Sequence, residues 1–239
     1  MKKHIPNTIT CCNLISGCIA TLFAAQSNYS MALTFIIIGA VFDFFDGFAA
    51  RLLHVSSPIG KELDSLADDI TFGFAPATIV FSMLRATLPT CDCAWMTYVP
   101  YAAFIIAAFS ALRLAKFNLD ERQTTSFIGL PTPANALFWG ALSLTLASSG
   151  ALTSNTALFA ALLVGIVLSS WLLVAEIPMF ALKFKTYGWK GNELRFSFII
   201  VSALLLAILK WGGFSLIIVL YILTSIISNA FGTKVAKDK

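Results

Sequence analysis

The stretch Met31–Arg51, MALTFIIIGAVFDFFDGFAAR, decides the architecture of this chain. Its first twelve residues carry no charge, whereas the last nine include Asp43, Asp46 and Arg51. A charged side chain near the middle of a membrane helix costs about 2.5–3.5 kcal/mol on insertion scales. The stretch therefore indicates a membrane helix whose charged end has a function that offsets this cost.

The whole chain has the composition of a polytopic membrane protein. Of its 239 residues, 58% are hydrophobic and 12% are charged, and the mean hydropathy is +0.85. Soluble domains carry roughly 25% charged residues. Because a membrane-spanning helix needs about 20 mostly apolar residues, the chain has room for roughly six to eight spans and for no sizeable soluble domain. A net charge of +4 gives no indication of nucleic-acid binding.

Eight apolar segments are predicted to form membrane helices, so the expected fold is an all-α helical bundle in a single transmembrane domain, 1–239. The segments are 8–25, 31–53, 65–88, 96–117, 132–149, 155–176, 196–210 and 213–231. Only the sequence KWGG separates the last two, which are therefore expected to form a tight pair.

Lysine and arginine are distributed very unequally between the two ends of these segments. With eight spans, only Arg85 and Lys210 fall on one side, which leaves 14 of the 16 basic residues on the other. Basic loops remain in the cytoplasm during membrane insertion. We therefore expect an integral protein of the inner or plasma membrane with both termini and the aspartates on the cytoplasmic face.

Four aspartates are predicted to converge at this inner end. Asp43 and Asp46 are three residues apart, and Asp64 and Asp68 are four apart, so each pair lies on one face of its helix. A short loop joins the two helices, which makes them antiparallel neighbours. Four carboxylates in a medium of low dielectric constant need protons or cations to offset their charge. Oxygen-rich sites suit Mg²⁺ or Mn²⁺, and a pair of such ions suits phosphoryl transfer.

Small residues and a cation border the predicted carboxylate site. Gly47 and Ala50 leave a bare strip beside the aspartates on the same helix, and Arg51 follows directly. Gly60 comes just after Ser57–Pro58, which are typical cap and first-turn residues of a helix. Because a helix N-terminus attracts phosphate, this arrangement favours a phosphate-containing ligand.

Two other functions stay open for the aspartates on this evidence. Acidic residues within spans are common in proton and ion pathways, so a divalent-cation or proton-coupled transporter is one alternative. Structural ion pairs with Arg51 or Lys61 are another. Transporters often show corresponding broken helices in two halves of the chain. Here the acids cluster at one end, and the second half has no matching set.

The complete spacing resembles the signature of the CDP-alcohol phosphotransferase family. From Asp43 to Asp68 the chain reads DxxDGxxAR, eight residues, and GxxxDxxxD, which matches that signature at every position. The resemblance implies a six-helix membrane core at about 5–185, with further C-terminal helices at about 196–231. Asp69 lies outside the signature and is interpreted as a helix-start acid.

The resemblance also implies a reaction and a role for each signature residue. Family members displace CMP from a CDP-linked lipid with an alcohol, using two divalent metal ions. Asp68 would be a metal ligand and the general base for the attacking hydroxyl. The implied metal ligands are Asp43, Asp46, Asp64 and Asp68. The implied CDP-lipid pocket consists of Gly47, Ala50, Arg51, Gly60, Asn7 and Thr10, although Asn7 and Thr10 could be helix caps instead.

Two further stretches indicate which alcohol is used. SALRLAKFNLDE at Ser110–Glu121 and FIGLPTPANA at Phe127–Ala136 resemble the phosphatidylserine synthase branch of the family. That branch implies CDP-diacylglycerol and L-serine as substrates and a homodimer as the assembly. Arg113 could pair bidentately with the serine carboxylate, supplemented by Lys116 and Asn118. Lys116 stands where the branch usually has a second arginine, which keeps the charge but loses the planar fork.

Charge alone does not separate serine from other acceptors. Glycerol 3-phosphate or an inositol phosphate would also need cations here, and choline is a further alternative. Arg113 and Lys116 could also serve only as interfacial anchors of the cytoplasmic side. The preference for serine therefore depends on the two stretches rather than on the basic residues themselves.

Overall fold

The protein is described by a computed structural model over residues 4–55, 57–90, 93–119, 127–179 and 193–237. Within these ranges it is helical apart from two short strands, which confirms the predicted all-α class. The helices are α1 (His4–Ala25), α2 (Tyr29–Leu52), α3 (Pro58–Asp68), α4 (Ala75–Thr87), α5 (Ile105–Leu119), α6 (Thr132–Ser148), α7 (Thr156–Val174), α8 (Glu193–Leu209) and α9 (Gly213–Lys237).

Short elements connect these helices. A π-helical segment, Asp69–Phe74, joins α3 to α4 without a break, and a 3-10 helix, Ala94–Phe104, leads directly into α5. A 3-10 turn, Lys210–Gly212, separates α8 from α9. The strands β1 (Phe127–Ile128) and β2 (Pro178–Met179) pair antiparallel and tie the segment after α5 to the segment after α7.

Six helical segments of the described ranges are long and apolar enough to cross a membrane, which confirms a polytopic protein. They are His4–Ala25, Tyr29–Leu52, Pro58–Thr87, Ala94–Leu119, Thr156–Val174 and Arg195–Ser228. The predicted count of eight is not confirmed. Two features account for the difference. Helix α6 has 17 residues, slightly fewer than the roughly 20 of a usual span. Helices α8 and α9 follow each other so closely that they form one apolar segment, Arg195–Ser228, rather than two.

Caps define where several helices begin. The Ser57 hydroxyl accepts a hydrogen bond from the Gly60 N–H at 3.0 Å, and Pro58 occupies the first helical position, as the sequence predicts. Asn28 and Asn155 cap α2 and α7 in the same manner. The third span therefore begins at Pro58, earlier than the predicted residue 65.

The core surrounds the continuous helix from Pro58 to Thr87, which is the most buried of the six spans. Small residues at its contacts let neighbouring helices approach closely, as is usual in membrane bundles. A Cβ atom on Gly17 of α1, for example, would lie only 2.8 Å from the Thr71 Cα in the π-helical segment. This close packing holds the middle of α1 against the residues that follow Asp68.

Three connections meet at one end of the bundle. The hydroxyls of Ser27 and Ser82 lie 2.8 Å apart, and Ser154 donates a hydrogen bond to the Leu88 carbonyl at 2.9 Å. The connections after α1, α4 and α6 are thus on the side that the charge distribution predicts to be external. All four signature aspartates lie toward the opposite end.

Candidate active site

Three of the four signature aspartates form a compact carboxylate cluster. Asp43 from α2 and Asp64 and Asp68 from α3 each place one oxygen so that all three lie within 4.8 Å of one another. The Asp43 carboxyl group is within hydrogen-bonding range of both others. Carboxylates this close need protons or a cation to offset their charge.

Asp46 lies beside this cluster rather than within it. Its side chain is 6% exposed, and its Oδ2 accepts a hydrogen bond from the Thr10 hydroxyl at 2.7 Å. The charge of Asp46 still acts on both Asp43 and Asp64. It therefore extends the negative region from the cluster toward α1.

The donor set fits hard divalent cations, which prefer carboxylate and amide oxygens. Asn13 of α1 donates from its side-chain amide to Asp68 Oδ1 at 3.0 Å. This bond fixes one Asp68 oxygen and leaves the other for a cation or a substrate proton. The Asn13 amide oxygen is itself buried and has no hydrogen-bond partner in the described part of the chain. Three clustered carboxylates, with Asp46 beside them, thus form an oxygen-rich site.

A cavity of about 270 Å³ opens beside Asp46 and Asp64, between α1, α2 and the start of α3. Five of the six residues predicted for the CDP-lipid pocket line it, namely Asn7, Thr10, Gly47, Ala50 and Gly60. The sixth, Arg51, borders an adjoining depression. Because sites for whole drug-sized molecules span about 300–1,000 Å³, this cavity suits a polar head group rather than an entire lipid.

Gly60 keeps the first turn of α3 open toward this cavity. A Cβ atom on Gly60 would lie 3.0 Å from the Ser57 hydroxyl and 3.1 Å from Asn7 Oδ1. At Gly47 the nearest such contact is Arg51 Nη1 at 3.4 Å, which is an ordinary van der Waals distance. A side chain at position 60 would therefore be more crowded than one at position 47.

The Thr10–Asp46 hydrogen bond gives a specific expectation for substrate binding. Thr10→Val keeps the side-chain volume but removes the hydroxyl that orients Asp46. We expect kcat/KM for the CDP-linked lipid to fall about tenfold, as for the loss of one hydrogen bond to a charged group. Thr8→Val is the matched control, because within the described ranges the exposed Thr8 hydroxyl donates only to the His4 carbonyl of its own helix. Equal losses in both variants would contradict a role for Thr10 in the site.

The π-helical segment after Asp68 is a feature that the sequence does not reveal. Its first residue, Asp69, is wrongly interpreted from the sequence as a helix-start acid, because the helix begins at Pro58. The Asp69 Oδ1 lies buried near Gly73 and Ser110. Segments of π-helix occur frequently at functional sites. Here the segment directly follows the last carboxylate of the cluster.

Arg113 is the predicted serine-binding residue that the structure buries at the contact between α5 and the start of α6. Its side chain is 8% exposed, and its Nη1 donates to the Thr132 hydroxyl at 3.3 Å. Ser110, one turn earlier on α5, packs against Gly73 in the π-helical segment that follows Asp68. Arg113 thus lies at the start of α6, on the helix that packs beside the segment following Asp68.

The other two predicted serine-binding residues have different surroundings. Lys116 is exposed near the end of α5. The Asn118 side-chain amide donates to the Ser65 hydroxyl at 2.7 Å. The Asn118 backbone carbonyl accepts a hydrogen bond from Lys61 Nζ at 2.8 Å. Asn118 therefore links α5 to α3, while direct contact of either residue with serine stays a prediction.

Buried polar groups near Arg113 were missed by sequence reasoning. Ser110 lies one turn before Arg113 on α5, and Thr132 and Asn135 share one face of α6. The Ser110 Oγ, Arg113 Nε and Asn135 Nδ2 atoms are buried without hydrogen-bond partners in the described ranges. Buried polar groups are usually paired, so a polar ligand group would satisfy them. The signal that could have found Thr132 and Asn135 was the stretch GLPTPANA.

Comparison with known proteins identifies the family. Residues 3–181, about three quarters of the chain, match the CDP-alcohol phosphatidyltransferase family. The chain belongs to this family. The carboxylate cluster, the cavity and Arg113 all lie within the matched range. Helices α8 and α9 follow it, so they are additions to the CDP-alcohol phosphatidyltransferase match.

Curated members of the family with similar sequences share one name, CDP-diacylglycerol–serine O-phosphatidyltransferase. The Bacillus subtilis protein is 41% identical over 133 residues, which cover 55% of this chain and 70% of that protein. The Mycobacterium leprae protein is 31% identical over 183 residues, 73% of this chain and 57% of that protein. The Helicobacter pylori protein is 34% identical over 134 residues, which cover 55% of this chain and 54% of that protein. The chain thus spans little more than half the length of the last two.

Proposed function

We propose that this protein transfers the phosphatidyl group of CDP-diacylglycerol to the hydroxyl of L-serine, giving phosphatidylserine and CMP. The observation that carries the proposal is the burial of Arg113 on α5, where its Nη1 donates to Thr132 and Ser110, one turn earlier, packs against the segment that follows Asp68. A guanidinium group there can bind the serine carboxylate while the serine hydroxyl approaches Asp68. The shared name of the similar family members supports the same acceptor.

The carboxylate cluster is proposed to hold two divalent ions, Mg²⁺ or Mn²⁺. Asp43, Asp64 and Asp68 would hold these ions, and Asp46 would add an oxygen on the cavity side. When bound, such ions offset the charge of the diphosphate and of the phosphoryl group during transfer. Asn13 holds Asp68 in place for this purpose through its hydrogen bond to Oδ1.

Asp68 is proposed to act as the general base in a direct displacement. It accepts the proton of the serine hydroxyl, and the serine oxygen forms a bond to the phosphorus of the phosphatidyl group. The bond from that phosphorus to the bridging oxygen breaks, and the oxygen leaves with CMP. The step needs no covalent enzyme intermediate, and it places Arg113 on the acceptor side of Asp68.

The CDP head group is proposed to occupy the cavity beside Asp46 and Asp64. Thr10 and Asn7 provide polar groups on one wall, and Gly60 leaves the first turn of α3 open to the diphosphate. The acyl chains would remain among the membrane helices, because the cavity has room only for the head group. Arg51 adds positive charge at the adjoining depression.

We further propose that this end of the bundle faces the cytoplasm. Fourteen of the 16 lysines and arginines would fall on this side if all eight predicted segments crossed the membrane, and the connections after α1, α4 and α6, at the opposite end, contain few charges. The homodimer that the family resemblance implies stays a prediction.

The proposed function is tested by CMP release from CDP-diacylglycerol by the purified protein. Release is expected only when Mg²⁺ or Mn²⁺ and L-serine are both present, and excess chelator should lower it to background, because the clustered carboxylates then lack their cations. Glycerol 3-phosphate, an inositol phosphate and choline are tested separately in place of serine.

Each other outcome has a definite meaning. Metal-dependent release with one of the other alcohols would keep the metal site and overturn the serine assignment. Release that is insensitive to the chelator would overturn the metal proposal. If no alcohol supports release, transport of labelled Mn²⁺ by reconstituted vesicles becomes the next measurement.

A further inference from the structure

Helix α5 packs against the helical segment that contains the last two signature aspartates, and two contacts define how the two run past each other. A Cβ atom added to Gly73 would lie 2.8 Å from the Ser110 Cβ. Further along α5, the Asn118 side-chain amide donates to the Ser65 hydroxyl at 2.7 Å. The step forward from Ser110 to Asn118 thus matches the step back from Gly73 to Ser65. The two segments run antiparallel, and their stretches between these contacts face each other.

Arg113 lies in this stretch of α5, and Asp68 lies in the stretch that faces it. The Arg113 side chain is 8% exposed, and its Nη1 donates to the hydroxyl of Thr132, which is 1% exposed. The Nε atom of Arg113 is buried and has no hydrogen-bond partner within the described ranges. A buried donor on a charged group is costly to leave unpaired. Arg113 therefore keeps a donor for a ligand at the start of α6.

The start of α6 is a buried helix N-terminus without a side-chain cap. Pro131 precedes the first turn, and no side chain of the described ranges accepts a hydrogen bond from that turn. The first backbone hydrogen bond of the helix runs from the Asn135 N–H to the Pro131 carbonyl at 3.1 Å. The N–H groups of a first helical turn attract anions. The position of Arg113 beside Thr132 adds a positive charge to this end of α6.

Asn135 provides an independent sign of a ligand at this position. It follows Thr132 by three residues and therefore shares its face of α6. The side chain is 1% exposed, and its Nδ2 atom has no hydrogen-bond partner in the described part of the chain. Buried polar side chains are nearly always paired. Two unpaired donors, one each from Arg113 and Asn135, thus lie close to the hydrogen bond that joins Arg113 to Thr132.

We infer that the first turns of α6 form part of the acceptor site, where Asn135 and Arg113 together bind an anionic group of the acceptor. The inference rests on the proposed function, in which this group is the carboxylate of L-serine. Two unpaired donors and an uncapped helix N-terminus suit the two oxygens and the charge of a carboxylate. Thr132 is a positioning residue, because its hydroxyl holds the Arg113 guanidinium.

Asn135→Leu tests the inference by removing the amide with little change in side-chain volume. The KM for L-serine is expected to rise about tenfold, as for the loss of one hydrogen bond to a charged group. The KM for CDP-diacylglycerol should stay within about twofold, because Asn135 does not line the cavity proposed for the CDP head group. Binding of radiolabelled L-serine without CDP-diacylglycerol should weaken by the same factor. An unchanged serine KM, or an equal rise in both KM values, would overturn the inference.

Ser143→Ala is the matched control, because it also removes a buried polar group from α6. The Ser143 hydroxyl donates to the Gly140 carbonyl of its own helix at 2.7 Å, and the residue is fully buried. All kinetic constants should remain unchanged in this variant. As a second variant, Asn135→Asp keeps the side-chain size but places a negative charge beside the anion. The serine KM should then rise more than in Asn135→Leu, and a smaller rise would contradict anion binding.

Thr132→Val tests the positioning role, since it removes the hydroxyl that holds Arg113 and keeps the volume. The serine KM is expected to rise about tenfold with kcat within about twofold of wild type. Adding Thr132→Val to Arg113→Met should cause no further rise, because the guanidinium that Thr132 holds is already absent. Fully additive effects would show that Thr132 does not act through Arg113.

Failure of the proposed function would give a different pattern from failure of this inference. If the wild-type protein uses L-serine and Asn135→Leu leaves the serine KM unchanged, only the inference fails. If the wild-type protein uses glycerol 3-phosphate instead, the serine assignment fails. The inference then holds only if the KM for that anionic acceptor rises about tenfold in Asn135→Leu. Use of choline, which has no anionic group, would overturn both.

Discussion

The Asp68→Asn protein is expected to lose CMP release by a factor of about 10³ or more while keeping its fold. Asparagine has nearly the same volume as aspartate, but it cannot accept the serine proton and is a weaker ligand for a divalent ion. Loss of a general base alone lowers rates by about 10²–10⁴. Asp68 also contributes to the carboxylate cluster, so the loss should lie in the upper part of that range.

Asp69→Asn is the matched control for this experiment. Asp69 is the next residue in the chain, but its Oδ1 lies near Gly73 and Ser110, and it is not one of the clustered carboxylates. We expect this variant to keep most of the activity. Both variants should elute and melt like the wild-type protein in detergent. An active Asp68→Asn protein would overturn the assignment of the base and require another proton acceptor in the cluster.

The convergence of the aspartates could be predicted because it depends on short-range geometry. Spacings of three and four residues place each pair on one helix face, and a short loop fixes the two helices as antiparallel neighbours. Ser57 and Pro58 likewise mark the start of α3 by local chemistry alone. Such features need no knowledge of the remaining chain.

Features that depend on long-range packing could not be predicted in the same way. The π-helical turn after Asp68 has no sequence pattern of its own, and the hydrogen bond from Asn13 to Asp68 depends on how α1 packs. The contrast between Arg113 and Lys116 is another example. Both are basic residues on α5, but only the structure shows that one is buried and the other exposed.

The number of spans was uncertain for a physical reason. Hydropathy identifies apolar helices, but it does not show whether two adjacent ones cross the membrane separately. Helices α8 and α9 are separated only by the 3-10 turn Lys210–Gly212, and α6 is shorter than a usual span. The position of α9 is therefore defined by its contacts with α6, such as the hydrogen bond from Ser215 to the Phe138 carbonyl, and not by its hydropathy.

The second large effect is expected at Arg113. In Arg113→Met the apolar length of the side chain is kept, but the charge and all five donors are lost. Hydrogen bonds to charged groups contribute about 1.5–3 kcal/mol, which corresponds to roughly ten- to hundredfold in affinity. Because the proposed pair of Arg113 with the serine carboxylate is bidentate, we expect its loss to raise the KM for L-serine about a hundredfold. The KM for CDP-diacylglycerol should change little, since Arg113 is not among the residues that line the cavity proposed for the CDP head group.

Arg85→Met is the control, because Arg85 is a matched arginine at the opposite end of the bundle. The Arg85 guanidinium lies 5.8 Å from the Phe81 ring centroid, and that of Arg113 lies 5.9 Å from Phe117. Both variants thus lose a similar cation–π contact, and only Arg113→Met loses a contact with the site. Arg113→Lys should fall between wild type and Arg113→Met, because it keeps the charge but not the planar fork. A serine KM that is unchanged in Arg113→Met would show that this buried arginine only anchors α5, and the acceptor carboxylate would then need another partner.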